Sequence, residues 1–361
     1  MRKRVLLSGY YGYANAGDEA VCAAVLQALR THGGDPEVTV LSRNPAETQR
    51  THGVTAVPRK KILDVLPNAD ALIQGGGSLL QDATSARSVF YYLWVIVAAR
   101  IIRRPVFLYA QGIGPLKRPA VRAAVRTVLN RTQGIAVRDK GSKALLAAMG
   151  VNQPSIYLTA DPVWALEPAP KERAERIWDL QGMPGGERSV TLALRAWPTV
   201  ANMPELAART ASLLQERGFS PAFFPMQRPG DEELAAQAQS LMANPAPCLK
   251  GIYDPADMMA LAGRAGVLAG MRLHALIFAA AQGVPVVGIP YDPKVTSLLS
   301  EIGAPATPDV AQATPEAIVE AVAAAWEQRE GLSRKTVREA ERLRDNALGT
   351  ARLAKAFLDA G

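Results

Sequence analysis

The chain is short of the residues that build staples and metal sites, with two cysteines and three histidines among 361 residues. Cys22 and Cys248 lie far apart, and neither has a second thiol or a histidine beside it. Neither a disulfide framework nor a zinc site is expected, and a reducing compartment fits. The sequence has no His-x-His, no Asp-x-Asp at a strand end, no Gly-x-Ser-x-Gly elbow and no P-loop lysine pattern, so metal and common nucleophile chemistries lack support. The start, MRKRVLLSGYYG, follows its basic residues with only three apolar ones, too few for a signal-peptide core, and is expected to form the first strand. The apolar run Val89–Ala99 falls short of the roughly 20 residues that a membrane-spanning helix needs. No repeat or low-complexity segment occurs.

What is present is charge of one sign in excess. The formal net charge of +8 favours anionic partners. The basic residues are dispersed, with short clusters at Arg59–Lys61 and Arg103–Arg104 and no nucleic-acid motif beside them, so no nucleic-acid partner is expected.

The length suits two domains. The first half alternates short apolar runs with helical stretches: Arg4–Ser8, Val38–Leu41, Ala71–Gln74 and Val106–Ala110 read as strands, and Asp18–Thr31 as a helix. Continuous apolar runs suit parallel strands buried on both faces, and helices between them supply the crossovers. This predicts an α/β class with two Rossmann-like domains. Residues 1–165 form the N-terminal domain, 166–187 a linker with one short helix, 188–332 the C-terminal domain, and 333–361 a C-terminal helix. Val190–Leu194, Ala222–Phe224, Val267–Ala269 and Pro285–Ile289 are the second domain's expected strands.

Ligands of such sheets bind beyond the strands' carboxyl ends, which filters the candidates. The loop GYYGYANAGDEA, Gly9–Ala20, has glycines that permit close backbone approach to a ligand, and it lacks the GxGxxG spacing of a dinucleotide site. Asp18 stands where a helix begins, so it is either a helix cap or a functional acid. Gly75, Gly76 and Gly77 follow another strand and read equally as a tight turn. Gln111–Pro115 ends the next one. In VLAGMRLHA, Arg272 and His274 fall at a strand's carboxyl end and a helix start together. An arginine fork there suits carboxylate or phosphate, and a histidine can give or take a proton near neutral pH. His32 and His52 each precede a glycine at a helix end and read as surface caps. Arg195, Arg272 and Lys294 are three cations at strand ends of one domain, a pattern suited to a small, densely negative ligand; Arg138 closes GIAVRD in the other domain.

These segments resemble the polysaccharide pyruvyl transferase family, particularly its CsaB-type members. The resemblance rests on GYYGYANAGDEA, IQGGGSLLQD, YAQGIGP, AVRDKGS, TADPVW and GMRLHALIFAAAQGVPVVGIPYDPKV, in order along the whole chain. It implies a GT-B-like fold: two Rossmann-like domains facing a cleft, the first on the acceptor side and the second on the donor side, with the C-terminal helix returning to the first. It implies phosphoenolpyruvate as donor and a lipid-linked glycan containing N-acetylmannosamine as acceptor. It also implies a role in cell-wall biogenesis, in secondary cell-wall polymers that anchor surface-layer proteins. His274 is then the acid and proton relay and Asp18 the base on the acceptor hydroxyl. Arg195, Arg272, Leu273 and Lys294 bind the donor, with Arg138, Gly76 and Gly77 as weaker matches. No cofactor or metal is expected. A cytoplasmic location follows, with peripheral contact at the inner face of the membrane as an added expectation. Val89–Ala99 reads as a buried crossover helix, or as one whose surface, with Arg100, Arg103 and Arg104, rests on anionic lipid. The competing enzyme is a GT-B glycosyltransferase using a nucleotide sugar. A non-catalytic glycan- or lipid-binding protein is disfavoured by the acid, base and cations occurring together.

Overall fold

A computed structural model describes residues 2–83 and 85–360. The chain divides into two compact units. The first comprises the chain up to Ala14, Asp18–Leu166 and the chain from Leu343; the second comprises Asn15–Gly17 and Glu167–Arg342.

The first unit holds β1 (Arg4–Ser8), β2 (Glu37–Ser42), β3 (Thr55–Pro58), β4 (Ala71–Gln74), β5 (Gly77–Leu80), β6 (Val106–Ile113), β7 (Gly134–Val137) and β8 (Ser155–Leu158). They form one parallel sheet in the order β3-β2-β1-β4-β6-β7-β8, with β5 paired to β6. Val5, Leu6 and Leu7 of β1 are all buried because helices cover both faces of the sheet, which is why these strands read as unbroken apolar runs. β3, β5, β7 and β8 go beyond the strands expected from sequence. The helix Ala86–Ile101 buries Val89, Tyr92, Leu93, Val95, Ile96, Ala98 and Ala99, while Phe90, Trp94, Val97 and Ile101 are exposed. It is therefore a crossover helix buried on one side only.

The second unit has β9 (Ser189–Ala193), β10 (Ser220–Phe223), β11 (Val267–Gly270) and β12 (Val286–Gly288), all parallel, in the order β10-β9-β11-β12. The segment expected as a linker belongs to this unit from Glu167 onward. Its helix Lys171–Leu180 buries Ala174 and Trp178, and Arg173 grips the buried Asp257 through two hydrogen bonds of 2.6 and 2.7 Å. Proline and glycine gave that stretch a linker's composition; two buried side chains make it part of the core. The last helix, Arg329–Ala360, buries Leu343, Ala347, Ala351, Ala354 and Leu358 at helical spacing, and Phe357 packs on Phe107 with ring centroids 5.4 Å apart. No helix among the described residues is long and apolar enough to cross a membrane.

His52 departs from the surface cap expected of it. Gly53 does end the helix Pro45–His52 in a left-handed conformation, yet the imidazole turns inward and meets Glu19 at 3.0 Å. The other Glu19 oxygen accepts the Gly12 N–H at 2.7 Å, so this pair pins the loop after β1.

Arg138 performs a similar task beyond β7. Its guanidinium donates to Asp161 at 2.7 Å and to the Ser78 hydroxyl of β5 at 2.8 Å, and both charged groups are buried. Removing one partner of a buried pair strands the other charge. Asp161→Ala should therefore lower the stability of the first unit by about 3–5 kcal/mol, measured by denaturant unfolding. An unchanged midpoint would deny Arg138 this anchoring role.

Candidate active site

The carboxyl ends of β9, β11 and β12 are adjacent. Met271 N–H donates to the Ala193 carbonyl at 3.0 Å, and Ile289 N–H to that of Gly270 at 2.9 Å. The segments leaving these ends carry Arg195, then Arg272 to His274, then Tyr291 and Lys294. Strand order reverses between β9 and β11, the position at which open parallel sheets take ligands.

Two of the expected cations share one ring. The Arg195 guanidinium lies 5.4 Å from the centroid of Tyr291 and 5.2 Å from that of Trp197, and donates weakly to the Tyr291 hydroxyl at 3.4 Å. Lys294 Nζ is 5.6 Å from the same Tyr291 centroid and 3.8 Å from the Asp292 carboxylate. Asp292 also caps the helix Pro293–Ile302 by accepting the Lys294 N–H at 3.0 Å. Arg195 makes no ion pair among the described residues.

Arg272 is not the loose strand-end cation that its position in sequence implies. Its Nε donates to Asp231 at 2.9 Å, a terminal nitrogen donates to the other Asp231 oxygen, and the same nitrogen reaches Gln227 Oε1 at 3.2 Å. Asp231 is buried and also accepts the backbone N–H groups of Met226 and Gln227, each at 3.1 Å. The pair cancels most of the Arg272 charge and leaves its Nη1 edge for a ligand.

Arg272 occupies the cap position of the helix Leu273–Ala281 without a side-chain cap bond, so the first N–H groups of that helix remain available to an anion. Leu273 is buried. His274 follows, half-buried. The short segment Asn15–Gly17 lies against it: Asn15 bridges to Gln227, Ala16 N–H donates to the Met226 carbonyl at 2.8 Å, and a Cβ on Gly17 would overlap the His274 ring at Nδ1. Gly17 is therefore required to be glycine by the imidazole.

In the first unit, Asp18 stands in the first turn of the helix Ala16–His32, beside β5. A Cβ on Gly77 would sit 3.4 Å from Asp18 Oδ1, and Gly77 adopts a φ of +92° that favours glycine. Gly76 faces Val21 and Pro162, each 3.1 Å from where its Cβ would be. The glycines flanking β1 and β4 serve the protein's own packing. A Cβ on Gly9 or on Gly75 would overlap the Tyr11 ring or hydroxyl, and one on Gly12 would overlap Ser42 Oγ. Tyr11 is fully buried at the point where this sheet's strand order reverses, and burial holds its phenol well above the ordinary value. The ligand approach expected of the Gly9–Ala20 loop is, at these glycines, the approach of Tyr11 and Ser42.

Sequence reasoning missed Asp231, Gln227, Tyr291, Trp197 and Gly17. Tyr291 had a signal, since it adjoins Lys294 in YDPK. Asp231 had none, because its partner is 41 residues away and it resembles any first-turn acid. No group of three or more His, Cys, Asp or Glu side chains able to hold a metal ion occurs among the described residues.

The fold has solved relatives. The structure of HepE from Anabaena in complex with UDP-glucose aligns with a TM-score of 0.68 at 11% identity, covering 99% of this chain and 100% of that one. UDP-GlcNAc 2-epimerase from Neisseria meningitidis, bound to UDP-GlcNAc, aligns at 0.65 and 11%, covering 100% and 99%. At such identities the likeness is one of fold, a mixed α/β, GT-B-like architecture with parallel sheets. Among curated proteins, the amylovoran biosynthesis protein AmsJ of Erwinia amylovora is 19% identical over 202 residues, which span 44% of this chain and 48% of AmsJ. The family model described as polysaccharide pyruvyl transferase matches residues 15–293, well over half of the length, and ends one residue before Lys294. The chain belongs to the polysaccharide pyruvyl transferase family.

Proposed function

We propose that the protein transfers the pyruvyl group of phosphoenolpyruvate to a sugar of a lipid-linked cell-wall glycan, in the manner of the CsaB-type members. The product would be a cyclic ketal, and phosphate would leave. The observation that carries this reading is the anion-receptive end of the second sheet. There Arg195, Lys294, the Nη1 edge of Arg272 and an uncapped helix start lie on adjoining segments, next to one histidine. A donor bearing both a carboxylate and a phosphate matches that set.

In this mechanism His274 protonates C3 of the donor, leaving C2 oxocarbenium-like. A sugar hydroxyl attacks C2 and its proton passes to Asp18. The C2–O bond to phosphate then breaks, Arg195 and Lys294 holding the charge that moves onto the leaving group, which departs as hydrogen phosphate with the proton that Asp18 took up. A second hydroxyl closes the ketal, and its proton restores His274. N-acetylmannosamine is the proposed acceptor sugar, and a secondary cell-wall polymer the proposed destination. The competing nucleotide-sugar transferase draws on fold neighbours alone. Phosphate release from phosphoenolpyruvate, dependent on a glycan acceptor and absent with UDP-sugars, would decide for the pyruvyl transfer; the opposite pattern would reject it.

Two consequences separate binding from architecture. Arg195→Ala should weaken phosphoenolpyruvate binding about ten- to hundredfold, as expected for one charge-assisted contact, with thermal melting unchanged. Arg272→Ala should lower melting as well, because Asp231 is left buried and unpaired. Calorimetry that finds donor affinity intact in Arg195→Ala removes the anion-site assignment. Gly17→Ala should act on proton transfer instead, displacing the His274 ring. Turnover should fall toward the about 10²–10⁴-fold loss expected of His274→Ala while donor affinity is retained. Normal turnover in Gly17→Ala would mean that the position of His274 does not matter.

A further inference from the structure

The helix Ala86–Ile101 has two unlike faces. One is committed to the first unit's core through Val89, Tyr92, Leu93, Val95, Ile96 and Ala99. On the other, Phe90, Trp94, Val97 and Ile101 recur at spacings of four, three and four and so form a single stripe. They are 48%, 43%, 38% and 75% exposed, where a surface helix ordinarily shows polar side chains.

A second segment extends this face. The Arg59 guanidinium lies over the Tyr91 ring, 3.8 Å from its centroid, and Arg104 donates to the Pro67 carbonyl at 2.5 Å. These two tethers hold residues 59–68 alongside the helix, and Leu63 between them is 60% exposed. Around the apolar residues, Lys60, Lys61, Arg87, Arg100 and Arg103 are exposed cations, and Asp64 is the one acid within the two segments.

We propose that this face docks on an anionic lipid bilayer. The stripe and Leu63 would enter the boundary between headgroups and acyl chains, and the cations would meet lipid phosphates. The inner face of the helix is fixed in the core, so the helix lies on the membrane and does not cross it. The charge selects this occupant over a second copy of the chain, because two copies meeting here would oppose cations of like sign. Arg59 also donates to the Tyr13 hydroxyl, and Tyr13 stacks on Tyr10 with centroids 4.0 Å apart. The face is thus continuous with the loop after β1, at the carboxyl-end rim of the first sheet. The proposal does not depend on the reaction assigned above.

The test is sedimentation of the full chain with vesicles of phosphatidylcholine alone or mixed with phosphatidylglycerol. Binding should require phosphatidylglycerol and weaken as salt is added. Replacing Phe90, Trp94 and Ile101 together by serine should lower vesicle affinity about tenfold or more. Lys61→Glu, Arg100→Glu and Arg103→Glu combined should abolish the preference for anionic vesicles. All six side chains are exposed, so melting should be preserved; if the serine variant melts early, the charge-reversed variant decides. Failure of the native chain to bind anionic vesicles overturns the proposal, as does unchanged binding in the charge-reversed variant. A native dimer dispersed by the serine substitutions would instead make this face a self-interface.

Discussion

The second unit's candidate site is organised by the ion pair between Arg272 and Asp231. The Asp231 carboxylate is out of water and accepts from Arg272 and from two backbone N–H groups of the segment after β10. A buried carboxylate with that many donors is held immobile, and it immobilises what it touches. Through it the start of the helix Leu273–Ala281 is fixed to Met226 and Gln227. Those same two residues receive Asn15 and Ala16, which sets Gly17 against the His274 ring. The histidine's position therefore depends on a pair it does not belong to.

The same pair redistributes the electrostatics. An arginine neutralised by a buried aspartate attracts an anion far less than a free one, although its remaining N–H edge still selects geometry. Lys294 is likewise tempered by Asp292 at 3.8 Å. That leaves Arg195, flanked by Trp197 and Tyr291, as the one of the three with no carboxylate partner among the described residues. Aromatic faces hold a guanidinium without neutralising its charge, so this packing orients Arg195 and preserves its attraction for an incoming anion.

The fold was legible where burial is two-sided and obscure where it is not. β1, β4 and β6 each carry a continuous apolar run and announce themselves. β5 opens on Gly77, which weakens any strand signal, and β8 lies at the sheet edge with Ser155, Tyr157 and Leu158 exposed. β3 ends in Pro58, also at an edge, where a missing N–H costs no ladder bond. At the candidate site, the motif around Arg272 and His274 could be read because strand end and helix start are local features. Its supports could not: Asp231 and Gly17 are linked to it only through tertiary contacts, and His52 looked like a helix end because its Glu19 partner lies 33 residues earlier.

The glycines carry the remaining lesson, because the same residue type serves opposite purposes in different loops. Around β1 and β4, Gly9 and Gly75 make room for Tyr11, whose ring fills the place where this sheet's order reverses. At the corresponding reversal between β9 and β11, the approach to the backbone is left to Arg195, Arg272 and His274. A glycine-rich loop after a strand shows that something comes close; only the surrounding side chains show whether that is a ligand or the protein itself. In the first unit the occupant is a buried tyrosine, whose phenol carries no positive charge and cannot serve an anion as a guanidinium does. Two sheets built on one architectural rule thus differ in chemistry at their reversal points, a buried phenol at the first and a group of cations at the second.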